Sequence, residues 1–149
     1  MSSIATYASA QPQSRSNGRG HFAKIGLATV VAAVLANVLF YYIGSAFVTY
    51  DPDFVVLSNV SGAVIFTLAA AVVAVSLYAA LVRFTDNPVR NFNIIAAVVL
   101  VLSIVPDYTM ILDEPGSSFG QATILALMHV VAAAVIVLML TTLAHPNKR

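Results

Sequence analysis

The chain has 149 residues, enough for one domain; 60% of them are hydrophobic and 9% charged, and the mean hydropathy is +0.91. Soluble domains carry roughly 25% charged residues, so this composition cannot cover a water-facing surface and points to a bilayer. Seven Lys and Arg against six Asp and Glu argue against a nucleic-acid partner, and the absence of Cys excludes disulfides, thiolate metal sites, thiol catalysis and Cys-held iron–sulfur clusters.

Residues 1–24 are rich in Ser, Gln, Gly and Ala and lack apolar periodicity, which predicts a flexible cytoplasmic tail. The first apolar run, 25–48, is free of charge and too long for the core of a cleavable signal peptide, so it reads as a retained membrane span. Its small and polar residues Gly26, Ala33, Asn37 and Gly44 fall on one stripe, the expected helix-packing face. An acidic connector, Thr49 to Asp53, leads to the second run, 60–82, where Gly62, Ala69 and Ser76 repeat every seventh position and predict the seam of a left-handed antiparallel bundle. The middle connector holds Asp86-Asn87-Pro88, a turn closed by capping chemistry, between Arg83 and Arg90, which are placed to meet lipid phosphates. The third run, 92–112, contains one ionisable residue, Asp107, and the fourth, 122–143, contains His129 on a face with Ala122, Ala126 and Ala133. A short basic end, 145–149, follows the transmembrane domain, 25–144.

At about 1.5 Å per residue each run reaches the ~30 Å of a hydrocarbon core. Lipid offers no partner to unpaired backbone groups, and the runs are too long for barrel strands, so helices are expected. The short connectors make neighbouring spans antiparallel. The predicted fold is an all-α membrane protein, an up-down-up-down four-helix transmembrane bundle without β-sheet. Both acidic connectors lack Lys and Arg, and every Lys and Arg lies on the other side, which places both termini in the cytoplasm. Phe47, Tyr50, Phe54, Tyr108 and Phe119 are expected at the outer boundary and Phe22, Tyr78, Phe84 and Phe92 at the inner one.

Asp107 is the most informative residue, because a lone charge within a bilayer costs at least about 2.5 to 3.5 kcal/mol. Counted from the outer ends of their spans, Asp107 is about 8 Å and His129 about 10 Å deep, so the two can meet directly or through one water. Ser103 lies one turn from Asp107, and Pro106 leaves the carbonyl of Leu102 without its usual donor, predicting a hydrated kink. Tyr41 and Thr67, with Asn37 slightly deeper, could complete an outward-facing polar pocket. Such a constellation suits a structural interhelical clasp or a proton or substrate site; the sequence also allows no contact at all. His129 could alternatively ligate a haem or pigment, but neither His21 nor His145 lies in a span, so bis-histidine haem within one chain is excluded. Asp51, Asp53, Asp113 and Glu114 read as turn formers before a cation site, and Asn59-Val60-Ser61 matches a glycosylation sequon next to the membrane. There is no Gly-rich phosphate loop, His-Glu-x-x-His helix or Ser nucleophile elbow.

From Arg90 onward the chain runs Arg90-Asn91-Phe92, then Leu102-Ser103-Ile104-Val105-Pro106, an acidic turn, and Ala126-Leu127-Met128-His129-Val130-Val131-Ala132-Ala133-Ala134-Val135. This order resembles a family of small bacterial four-span membrane proteins known as domain of unknown function 6069, loosely over the first two spans and not over the tail. The resemblance implies a bacterial inner membrane and four spans, and assigns no catalytic role to any residue. The expected function is therefore a small integral membrane protein without enzymatic activity, an accessory or interaction subunit. Its partners would be the lipid bilayer and either other membrane-protein subunits or a second copy; no metal and no cofactor is called for. The alternatives are an oligomeric proton-coupled transporter of small solutes built on Asp107 and His129, and a carrier of a haem or pigment held by one His.

Overall fold

The computed structural model describes residues 14–144. Among the described residues there are four helices, α1 (Ser14–Ser45), α2 (Val60–Phe84), α3 (Pro88–Thr109) and α4 (Phe119–Leu143), and a 3₁₀ turn, Ile111–Asp113, after α3. Each is long and apolar enough to cross a membrane, over Gly20–Ser45, Val60–Phe84, Pro88–Asp113 and Phe119–Leu143. No strand occurs among the described residues. The architecture is an antiparallel four-helix bundle in which α1 packs on α2 and α4, and α3 leans chiefly on α4.

The first helix starts earlier than the composition suggests. Residues 14–24 of the expected tail are helical, since extending a helix already nucleated in the span costs far less than starting one. Phe22 also stacks on Tyr78 of α2, ring centroids 6.4 Å apart, which anchors the extension. Residues 1–13 of that tail, and the basic end 145–149, lie outside the described residues.

Lipid provides no hydrophobic drive between helices, so small residues at close approach and interhelical polar contacts must hold the bundle. On α1 the stripe Gly26, Ala33, Asn37 and Gly44 is buried, joined by Thr29 and Tyr41. Gly44 is required: a Cβ there would lie 2.5 Å from the Tyr50 hydroxyl and 2.9 Å from Ile124 Cγ2. On α4, Ala122 and Ala126 are buried and Ala133 half-buried. On α2 the expected seam holds at Gly62, which is half-buried with room for no Cβ against the Val56 carbonyl, and fails at its other two positions. Ala69 and Ser76 are exposed, Ser76 turning its hydroxyl back to the Val72 carbonyl, whereas Ala63, Thr67, Ala71 and Tyr78 face the bundle. Both stripes consist largely of small residues on an apolar helix, and composition alone does not say which one faces protein.

The core divides into two apolar clusters. At the basic end Tyr78, Phe92, Ala71, Ile136 and Leu140 pack together; at the acidic end Tyr41, Phe54, Leu57, Ile124 and Met128 do. Phe54, Tyr78 and Phe92 are thus core residues and not boundary aromatics, while Phe47, Phe84 and Phe119 are exposed. The first connector is longer than Thr49 to Asp53: residues 46–59 fold back so that Phe54 and Leu57 seal the acidic end of the bundle. Asn59 ends this segment as the N-cap of α2, its side chain accepting from the Ser61 backbone and hydroxyl, so the sequon's Asn is spent on capping. Between α2 and α3, Thr85 closes α2 and Pro88 opens α3, but Asn87 at the N-cap makes no side-chain hydrogen bond.

Candidate functional site

Between the two apolar clusters lies a thin polar layer contributed by all four helices: Asn37, Thr67, Asp107 and His129. A side chain of each type in an apolar run is costly unless it finds a partner, which explains why these four turn inward. Asp107 Oδ2 lies 3.3 Å from His129 Nδ1. The carboxylic side chain is almost fully enclosed, 4% exposed against 36% for the imidazole, so α4 covers the acid while the ring's other edge stays open.

The tautomer follows from the backbone. His129 Nδ1 is 2.9 Å from the Leu125 carbonyl, which can only accept, so Nδ1 carries a hydrogen and donates it there. That N–H aims at Leu125, one turn earlier on the same helix, and Asp107 Oδ2 is left beside the ring without a hydrogen bond of its own. The contact is close and electrostatic, with the proton already committed elsewhere.

Asn37 Nδ2 donates to Thr67 Oγ1 at 2.6 Å, tying α1 to α2. Asn37 Oδ1 is buried and unpaired. Asn37, Thr67 and His129 line one cavity of about 100 Å³ between α1, α2 and α4, otherwise walled by apolar side chains including Ala63, Phe66 and Met128. His129 therefore joins two places: its Nδ1 edge meets the enclosed acid, and its ring borders the cavity.

The remaining expected members do not join this layer. Tyr41 donates its hydroxyl to the Leu57 carbonyl at 2.9 Å and receives Tyr50 on its own carbonyl, so it secures the connector and does not line the cavity. Ser103 bonds back to the Val99 carbonyl. Pro106 lies within α3, and the regular helix ends three residues later at Thr109, passing into the 3₁₀ turn. Asp107 consequently sits in the last turn of α3, while the apolar span continues through the 3₁₀ turn to Asp113. Tyr108, next to it, donates to Thr123 Oγ1 at 3.2 Å and packs on Phe119, adding a hydrogen bond between α3 and α4 beside the Asp107–His129 contact. Arg83 and Arg90 are exposed at the basic end, Arg83 lying 5.5 Å over the ring of Phe84.

The sequence reading missed Gln121. It is 2% exposed, and its amide donates to the Gly116 carbonyl at 2.8 Å while its Oε1 accepts from the Asp51 backbone at 3.2 Å. One side chain thereby stitches the two acidic connectors together. Gly116 (φ 70°) permits the close approach, because a Cβ there would lie 2.8 Å from Asp51 Oδ1. A single Gln just before an apolar run was the available signal. Asp51 caps its own turn by accepting from the Asp53 backbone, and no cluster of metal-ligating side chains occurs among the described residues.

The family model described as a family of unknown function (DUF6069) matches residues 18–146. The chain belongs to this family. The match to DUF6069 spans all four helices and begins before the first span, inside the helical extension that carries Phe22. No curated protein and no solved structure matches the chain. This DUF6069 chain is accordingly a small membrane protein, and what its polar layer does must come from its own geometry.

Proposed function

We propose that this protein is a non-enzymatic, multi-pass accessory subunit of a bacterial inner membrane, with both termini cytoplasmic, whose third helix is docked by a polar clasp. The observation that carries this reading is the burial pattern of α3, which has two buried residues, Phe92 near one end and Asp107 at the other. Phe92 packs edge-on against Tyr78 at 5.1 Å, and Asp107 meets His129. Ile94, Val98, Val101, Leu102 and Val105 stay exposed, an apolar surface suited to lipid or to a helix of another subunit. The segregation of Lys and Arg supports the orientation, with Arg83 and Arg90 against lipid phosphates. Native mass spectrometry of the protein extracted gently from its membrane tests the subunit reading. A defined homo- or hetero-complex is expected, and a monomer carrying nothing but lipid would overturn it.

One observation favours a second reading, a proton-coupled transporter of small solutes assembled from several copies. His129 touches the enclosed acid with one edge and borders the cavity, as a group relaying a proton would. Its test is pH-dependent uptake into proteoliposomes by the native chain and by Asp107→Asn; loss of uptake in a variant that keeps its thermal stability would displace the clasp.

A further inference from the structure

We propose that the cavity bordered by Asn37, Thr67 and His129 is a binding site for a small neutral hydroxyl compound. The inference goes beyond the clasp, since it concerns the cavity His129 shares with Asn37 and Thr67 and not its contact with Asp107.

The size of the cavity limits its occupant. At about 100 Å³ it is smaller than the roughly 150 Å³ cavity known to hold benzene, which leaves room for about four heavy atoms. Its chemistry selects the functional group. Most of the wall is apolar, so a cluster of water alone would leave most of its hydrogen bonds unmade. The polar groups left over are one acceptor and one donor. Asn37 Oδ1 is enclosed and unpaired because the amide's nitrogen is already given to Thr67, and the Thr67 hydroxyl, which accepts that bond, keeps its own hydrogen to give. A ligand that donates to Asn37 and accepts from Thr67 answers both groups, and a single hydroxyl does so. A full positive charge would have to be desolvated among aliphatic walls, which disfavours an ammonium and favours a hydroxyl. Access is lateral: Phe66 stands at the rim and is 70% exposed on the apolar surface, so a compound dissolved in the bilayer can enter past it.

Propan-2-ol and acetone share a four-heavy-atom skeleton and differ in whether the oxygen carries a donor hydrogen, so they form the test pair. The chain is labelled at methionine methyl carbons in lipid nanodiscs; Met128 lines the cavity, and Met110, 68% exposed, reports partitioning into the bilayer. Propan-2-ol should shift the Met128 signal saturably and the Met110 signal linearly. Acetone should bind the Met128 site about tenfold more weakly, as expected for one lost hydrogen bond to a buried acceptor. Asn37→Leu should weaken propan-2-ol to the acetone level, and Ala63→Leu, which fills the cavity, should abolish saturation. If the two compounds bind equally, the site is merely apolar and the proposal fails. It fails equally if Met128 responds as Met110 does, or if the Asn37 amide shows exchange with water that propan-2-ol does not displace.

Discussion

His129 holds its Nδ1 hydrogen on the Leu125 carbonyl at 2.9 Å while Asp107 Oδ2 lies 3.3 Å from the same nitrogen, so these residues of α3 and α4 share a contact and not a full hydrogen bond. Removing the two partners should then have unequal effects. His129→Leu strands the acid, at a cost on the order of the 2.5 to 3.5 kcal/mol that insertion scales give a lone intramembrane carboxylate. Asp107→Asn leaves a neutral amide and a ring that still bonds Leu125, a loss of about 1 kcal/mol. Melting temperatures of both variants in detergent should rank native, Asp107→Asn, His129→Leu. The reverse order would mean that the acid is satisfied by something other than the imidazole.

Gln121 should matter beyond its local helix. Gln121→Met keeps the volume but leaves the Gly116 carbonyl and the Asp51 N–H without their partner, at about 1 to 3 kcal/mol for each group that water cannot reach. Hydrogen exchange should accelerate over residues 51–58 as the connector loosens, while amides around Tyr78 at the opposite end stay protected. Uniform acceleration would show global unfolding instead of local release.

The pH response of the acidic end can be read from Tyr50. Burial first, and Tyr41 beside it second, push the phenol from 10.0 up to about 12. The folded protein thus keeps this proton where the unfolded chain has lost it, so the stabilisation is complete below pH 10 and is lost as pH rises toward 12. Melting temperature should fall across that window, and phenolate absorbance should show one tyrosine titrating late. In Tyr50→Phe the fall should be shallower, from a lower starting point because the 2.9 Å bond to the Tyr41 carbonyl is gone.

Helix number, order and approximate limits were legible because a bilayer demands long uncharged runs, and an enclosed acid in an apolar span announces itself by its cost. The α1 stripe was legible too, since Asn37 marks its buried side. Other features left no such mark. Phe54 and Leu57 look like any connector residues until the chain folds back over the bundle, and Tyr41 could equally have faced the cavity or, as it does, the Leu57 carbonyl. Gln121 gave only a weak hint. The face of α2 was misassigned because Ala dominates both sides of that helix, and hydropathy carries no contrast between lipid and protein.

That last ambiguity is open to direct measurement. Ala71 is fully buried against α1 and α4 neighbours such as Ala33 and Ile136, whereas Ala69, two positions away, is exposed. Leucine at each position adds the same atoms to the same helix with almost the same helix propensity. Ala71→Leu has to displace the adjoining helices and should cost about 1 to 3 kcal/mol, while Ala69→Leu projects into acyl chains and should change stability by less than about 0.5 kcal/mol. Comparing their detergent melting curves decides which face of α2 meets protein. Equal destabilisation would mean that the Ala69 side is also covered, as it would be if a second copy or another subunit packed against it in the membrane.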